Sequence, residues 1–185
     1  MDVSKFRLRR EDTVLVVIDI QERLAAAMAE RGLVEANTAR LARLARLLGI
    51  PLLVTEQYPK GLGPTVAGLR GPLGEFAPIE KLTFDCCGEP AFLAAVEAAG
   101  RRTALVVGME AHVCVLQTTL GLLARGLGVH VAADAVCSRA AANAGTGLAL
   151  VRDAGAVVTC TETAVFELLG RAGTEEFKAA LPLVK

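Results

Sequence analysis

A thiol, a carboxylate and an amine each lie at the end of a segment that reads as a β-strand. Cys114 sits in Gly108-Met109-Glu110-Ala111-His112-Val113-Cys114, which follows an apolar run from Ala104 to Val107 and opens a helical pattern. Aligned peptide dipoles at a helix N-terminus favour negative charge, so a thiol placed there is expected to ionise readily to the nucleophilic thiolate. Asp19 closes Val14-Leu15-Val16-Val17-Ile18, and Lys81 closes Pro78-Ile79-Glu80. In an open parallel α/β sheet, ligands bind outside the carboxyl ends of the strands, where residues distant in sequence can meet. These three groups in one crevice would suit nucleophilic attack on a carbonyl carbon.

The elements that must position them alternate. Apolar runs at residues 14–19, 51–55, 103–108, 129–133 and 156–160, with a shorter one at 77–81, read as six strands. Continuous apolar runs of this kind suit parallel strands covered on both faces. Helical periodicity falls between them at 34–48, 90–100, 113–125 and 139–154, with short helices at 164–169 and 175–180. In the 34–48 segment Leu41, Leu44, Ala45 and Leu48 share one face while Arg40, Arg43 and Arg46 lie largely off it. Residues 21–28 read as helical or irregular, and the Gly- and Pro-rich stretch 58–74 as a long loop of the kind that often carries function. The alternation predicts an α/β fold: one three-layer α/β/α sandwich domain over residues 1–185, Rossmann-like, around a six-stranded, mostly parallel sheet.

Composition narrows the function classes. Twenty basic residues balance twenty acidic ones, which argues against a dominant attraction to nucleic acid or anionic membrane. No segment approaches the ~20 apolar residues that span a bilayer, and the first apolar stretch is only strand length, so no signal peptide is expected. Five cysteines without a CxxC or a regular spacing support neither a disulfide framework nor structural zinc, so a cytoplasmic protein with free thiols is expected. A high apolar fraction, 53%, and apolar late helices point to a homo-oligomer, a dimer or tetramer.

Taken in order, the pieces Val17-Ile18-Asp19-Ile20-Gln21, Glu80-Lys81-Leu82-Thr83-Phe84 and Gly108-Met109-Glu110-Ala111-His112-Val113-Cys114-Val115-Leu116-Gln117-Thr118 resemble the isochorismatase-like cysteine hydrolases. Asp134-Ala135-Val136-Cys137-Ser138-Arg139 and the stretch Thr161 to Leu168 add support, and the resemblance runs from about Thr13 to Leu169. It implies Asp19, Lys81 and Cys114 as a catalytic triad, a cis peptide between Met109 and Glu110, and an oxyanion hole built from the backbone N–H groups of Glu110 and Cys114. By position it also implies a substrate-binding wall of Gln21, Leu24, Gln57, Tyr58, Phe84, Glu110 and His112.

The implied reaction is hydrolysis of a small amide or related carbonyl compound through a Cys114 thioester. Asp19 takes the thiol proton and returns it to the leaving amine, while Lys81 keeps Asp19 ionised and steadies the thiolate. No cofactor is implied. Nicotinamidases of the family carry an Asp-x-His metal motif where this chain has Glu56-Gln57-Tyr58, which points away from a metal site and from nicotinamide. Isochorismatases proper lack the nucleophilic cysteine, so Cys114 argues against vinyl-ether cleavage. The stretch Thr55 to Gly63 looks most like a subgroup of small hydrolases with poorly assigned substrates. Two other classes compete with this reading. A nucleotide-binding protein lacks support, since Gly61-Leu62-Gly63-Pro64 has neither the third Gly nor a following helix. A catalytically idle relative serving as a binding or scaffold protein is opposed only by all three triad positions being filled.

Overall fold

A computed structural model describes residues 3–184. The apolar runs become strands β1 (Thr13–Ile18), β2 (Leu52–Gln57), β3 (Ile79–Lys81), β4 (Thr103–Met109), β5 (Gly128–Cys137) and β6 (Val157–Thr159). They form one sheet in the order β3-β2-β1-β4-β5-β6. Every neighbouring pair is parallel, so the sheet is wholly rather than mostly parallel. The helices are α1 (Glu22–Ala26), α2 (Arg31–Leu48), α3 (Pro59–Leu62), α4 (Ala67–Leu73), α5 (Pro90–Ala99), α6 (Leu116–Ala124), α7 (Ala141–Asp153), α8 (Thr161–Leu169) and α9 (Glu175–Ala180).

Strand side chains alternate between two apolar layers. Leu15 and Val17 of β1, with Leu105, Val107 and Met109 of β4, pack against Leu41 and Leu44 of α2 and Val165 and Leu168 of α8. Val14, Val16 and Ile18 of β1, with Ala104 and Val106 of β4, face Phe92 of α5, Leu122 of α6 and Val151 of α7. Every residue of β1 is buried. Each such side chain is worth about 1.5–3 kcal/mol when fully buried, and a one-residue slip would exchange the two faces. The register of β1 against β2 and β4 is therefore tightly specified, and it sets where each strand ends.

Several boundaries differ from the sequence expectation. The stretch 58–74 is not a continuous loop but holds α3 and α4, separated by Gly63 to Val66. Helix α2 starts three residues earlier than the periodicity suggests, at Arg31. Strand β5 runs on past Ala133 to Cys137, pairing Val136 with Gly108 and Cys137 with Met109 across an irregularity in register. At the other end, Thr174 caps α9 by accepting the Phe177 N–H at 3.0 Å. Among the described residues, no helix is long and apolar enough to cross a membrane.

Candidate active site

The strand order reverses direction at β1, which lies between β2 and β4. This is the topological switch point where an α/β sheet leaves a crevice at the carboxyl ends of its strands. Asp19 is the first residue beyond β1 and takes a left-handed backbone, φ 52, which Asp tolerates better than most residues. Its N–H donates to Thr55 C=O at 3.2 Å and its C=O accepts the Gln21 N–H at 2.9 Å. The carboxylate is shared: Oδ1 accepts the Thr55 hydroxyl at 2.7 Å, and Oδ2 lies 2.7 Å from Lys81 Nζ.

Lys81 ends β3, two strands away from β1 with β2 between. The Asp19 and Lys81 side chains are wholly excluded from solvent. Desolvating two such charges costs several kcal/mol each, which their attraction offsets only when geometry is good and further hydrogen bonds complete both groups. Lys81 meets that condition. Nζ also donates to Gln57 Oε1 at 2.7 Å, to Thr83 C=O at 3.2 Å and to Phe84 C=O at 3.5 Å. Burial alone would lower the lysine pKa, but the charge and hydrogen bonding of Asp19, with electrostatic contributions from Cys86 and Cys114, outweigh it and hold it above its ordinary value.

Cys114 reaches the same place from β4. The Met109–Glu110 peptide is cis. Glu110 C=O then accepts N–H groups from Val113 at 3.0 Å and from Val115, five residues on, at 3.2 Å. That second bond makes the first turn of the helix a wide π turn, over Ala111–Val115, before α6 continues it. Such turns recur at functional sites because they re-aim a side chain. Two glycines permit the approach. A Cβ on Gly108 would fall 2.0 Å from Ile18 O, closing the gap between the ends of β1 and β4, and Gly108 has a φ of 129 that favours glycine. A Cβ on Gly147 of α7 would fall 2.8 Å from Ala111 O and His112 Cα, so α7 lies directly on the π turn.

Cys114 is 5% exposed. Burial pushes its pKa up, the charge and hydrogen bonding of Asp19 push it further, and Lys81 only partly opposes them. Burial and the neighbouring carboxylate thus favour the neutral thiol. Desolvation and a neighbouring anion run against the ready ionisation that a helix terminus favours.

The remaining wall residues divide. Gln21 is fully buried and spends its amide on protein groups, with Nε2 donating to Gln57 C=O at 3.0 Å and Gly63 C=O at 2.6 Å. Gln57 does the same, binding Lys81 through Oε1 and donating Nε2 to Leu82 C=O at 2.8 Å. The Glu110 carboxylate is held by Arg139, through its N–H at 2.9 Å and its guanidinium at 3.1 Å. Burial would raise the Glu110 pKa, yet the Arg139 hydrogen bonds and charge keep it below the usual carboxylate value. Leu24 is half-buried against the α2-side core. His112 is half-buried, with Nδ1 2.9 Å from Ser138 Oγ and Nε2 3.5 Å from Asn143 Nδ2.

Tyr58 and Phe84 are exposed rather than core. Tyr58 lies over Gly61, where a Cβ would come within 2.4 Å of its ring, and lines a pocket of about 330 Å³ with Lys60, Glu80, Lys81, Leu82 and Glu89.

Two further residues stand beside Asp19, Lys81 and Cys114. Thr55 lies 36 residues from Asp19 and meets it only because β1 and β2 pair Ile18 with Thr55. Cys86, fully buried, donates its N–H to Thr118 Oγ1 at 3.0 Å and sets its sulfur 3.9 Å from Thr55 Oγ1. Burial lifts its pKa to about 11 against the opposing pull of Lys81. Among the described residues, no cluster of three His, Cys, Asp or Glu is arranged to hold a metal ion. Glu56 accepts the Thr65 N–H at 2.6 Å and hydroxyl at 2.7 Å.

Residues 13–163 match the family model described as the isochorismatase domain. The chain is 39% identical over 174 residues to isochorismatase domain-containing protein 2 of Macaca fascicularis, covering 94% of this chain and 83% of that one. It is also similar to a solved Caenorhabditis elegans structure named as MAR1 ribonuclease, with 39% identity, a TM-score of 0.91, and coverage of 96% of this chain and 92% of that chain. The Escherichia coli YcaC protein, described as an octameric hydrolase of unknown specificity, shares the fold at a TM-score of 0.88 with 21% identity, over 96% and 90% of the two chains. With the family model spanning most of its length and close relatives matching nearly end to end, the chain belongs to the isochorismatase domain family.

Proposed function

We propose that the protein is a cysteine hydrolase acting on a small amide or related carbonyl compound through an Asp19–Lys81–Cys114 triad. The observation that carries this reading is the solvent-excluded 2.7 Å pair of Asp19 and Lys81, whose charges both act on the Cys114 thiol. In the first half-reaction the S–H bond breaks, its proton passes to Asp19, and sulfur bonds to the carbonyl carbon. The resulting oxyanion faces the backbone N–H groups of Glu110 and Cys114, a stabilisation commonly worth about 3–4 kcal/mol per donor. The C–N bond then breaks as Asp19 protonates the leaving nitrogen. In the second half-reaction Asp19 takes a proton from water, hydroxide adds to the thioester, the C–S bond breaks and the thiol is restored.

Because the resting cysteine is a thiol, Asp19 acts as a true base in this scheme, and Lys81 balances the negative charge as it moves to sulfur. Tyr58, Phe84 and His112 are the residues proposed to touch substrate. A single domain, a homo-oligomeric state and a cytoplasmic location complete the proposal, the last supported by five free cysteines. The test is a panel of small amides, carbamoyl compounds and esters, with an RNA oligonucleotide included because one relative is named a ribonuclease. Turnover of a carbonyl substrate that Cys114→Ala abolishes in a folded protein supports the proposal; hydrolysis undiminished in that variant removes it.

One observation favours a second reading. A buried Cys114 with a raised pKa also suits an idle relative that binds a ligand without turning it over. Ligand binding by the wild type with no turnover across the panel would favour it.

A further inference from the structure

Resting on the triad reading, we propose that Gln57 is a positioning residue that fixes both the place and the protonation of Lys81, so that the mobile proton is confined to Asp19 and Cys114. The argument begins with donors and acceptors. An ammonium has three N–H groups and no lone pair. Around Nζ stand Asp19 Oδ2 at 2.7 Å, Gln57 Oε1 at 2.7 Å and Thr83 C=O at 3.2 Å, with Phe84 C=O outside them at 3.5 Å. Every partner is an oxygen. A deprotonated amine would turn a lone pair toward one of them in a buried, low-dielectric place, so this cage accepts only the charged form.

Gln57 is the neutral member that can set the geometry without adding charge. Its amide has one orientation, because Nε2 donates to Leu82 C=O at 2.8 Å. Turning it over would aim an NH₂ group at the ammonium and a carbonyl at a carbonyl. The Gln57 backbone is fixed as well: its N–H donates to Gln21 Oε1 at 2.8 Å and its C=O accepts Gln21 Nε2 at 3.0 Å. Strand pairing sets Gln57 directly beside Lys81 in the sheet. With Nε2 occupied, Gln57 is a poor candidate for reading substrate and a good one for holding the lysine over the carboxylate and sulfur.

The test is the rate at which iodoacetamide modifies Cys114 in the full chain, followed by peptide mass spectrometry across pH 6–10. Gln57→Met keeps the bulk of the side chain and removes the acceptor. The expected result is a fall of about ten- to a hundredfold at neutral pH, the usual worth of one hydrogen bond to a charged group, with the profile displaced to higher pH. A folded Gln57→Met protein whose profile superimposes on wild type overturns the proposal. Lys81→Met separates the two levels: if it leaves the profile unchanged, the triad reading fails, whereas a shift with Lys81→Met and none with Gln57→Met removes Gln57 alone. Should Gln57→Met not fold, ¹⁵N-lysine NMR of the wild type decides. A slowly exchanging Lys81 ammonium signal persisting into alkaline pH supports the cage, and a neutral amine there overturns it.

Discussion

Thr55 donates its hydroxyl proton to Asp19 Oδ1 at 2.7 Å, leaving Oδ2 for Lys81. Each carboxylate oxygen thus has its own partner from a different strand. Thr55→Val keeps the shape and leaves Oδ1 buried without a donor. It should cost about 1–3 kcal/mol in urea unfolding and slow turnover roughly tenfold through a misaligned Asp19. Normal stability together with normal turnover would show that the hydroxyl is dispensable.

Lys81→Met strands the Asp19 charge in an apolar surround. A loss of about 3–5 kcal/mol in unfolding free energy is expected. Adding Asp19→Asn removes the stranded charge, so the double variant should be more stable than Lys81→Met alone. A double-mutant cycle by denaturant titration measures this, and strictly additive losses would contradict the pairing.

The Cys114 thiol is raised by burial and by Asp19 and lowered by Lys81, which fixes the direction of two pH effects. Alkylation of wild-type Cys114 should rise with a midpoint above the ~8.5 of a free cysteine. Asp19→Asn should move that midpoint down, because it removes an anion and leaves the cation.

His130 provides a stability test away from the site. It is buried, with Nε2 3.0 Å from Lys5 C=O, and burial lowers its pKa against smaller opposing effects of that carbonyl and of Glu167. The unfolded chain therefore takes up this proton at a higher pH than the folded one. Its contribution is fully present above the unfolded value of ~6.5 and is lost as pH falls toward the folded value, by about 1.4 kcal/mol per pH unit between them. Urea unfolding at pH 7.5 and 5.5 should show the loss, and His130→Phe should flatten that interval.

Much of this was legible before any coordinates. Asp19, Lys81 and Cys114 stand out because each ends a strand or opens a helix, and strand ends in a parallel sheet converge on one edge. The six strands were equally plain, since both faces of most are apolar. What escaped depended on pairing or environment. The Thr55–Asp19 contact needs the register of β1 against β2, which no local pattern encodes. Helices α3 and α4 were hidden because Gly61, Gly68, Gly71 and Pro72 are poor helix formers, and their docking against α1 and α2 overrides that preference. The opposing pulls on Cys114 are also hidden, because helix position is visible in a sequence and desolvation is not. Gln57, expected at the substrate, proved to be spoken for by Lys81.

The sheet order carries a consequence for biosynthesis. The first three strands made, β1, β2 and β3, are contiguous at one side of the sheet and bring both Asp19 and Lys81 with them. The sulfur arrives only with the turn after β4, on the opposite flank of β1. A nascent chain emerging from the ribosome therefore holds the residues of its buried carboxylate–ammonium pair well before the sulfur that is set beside them.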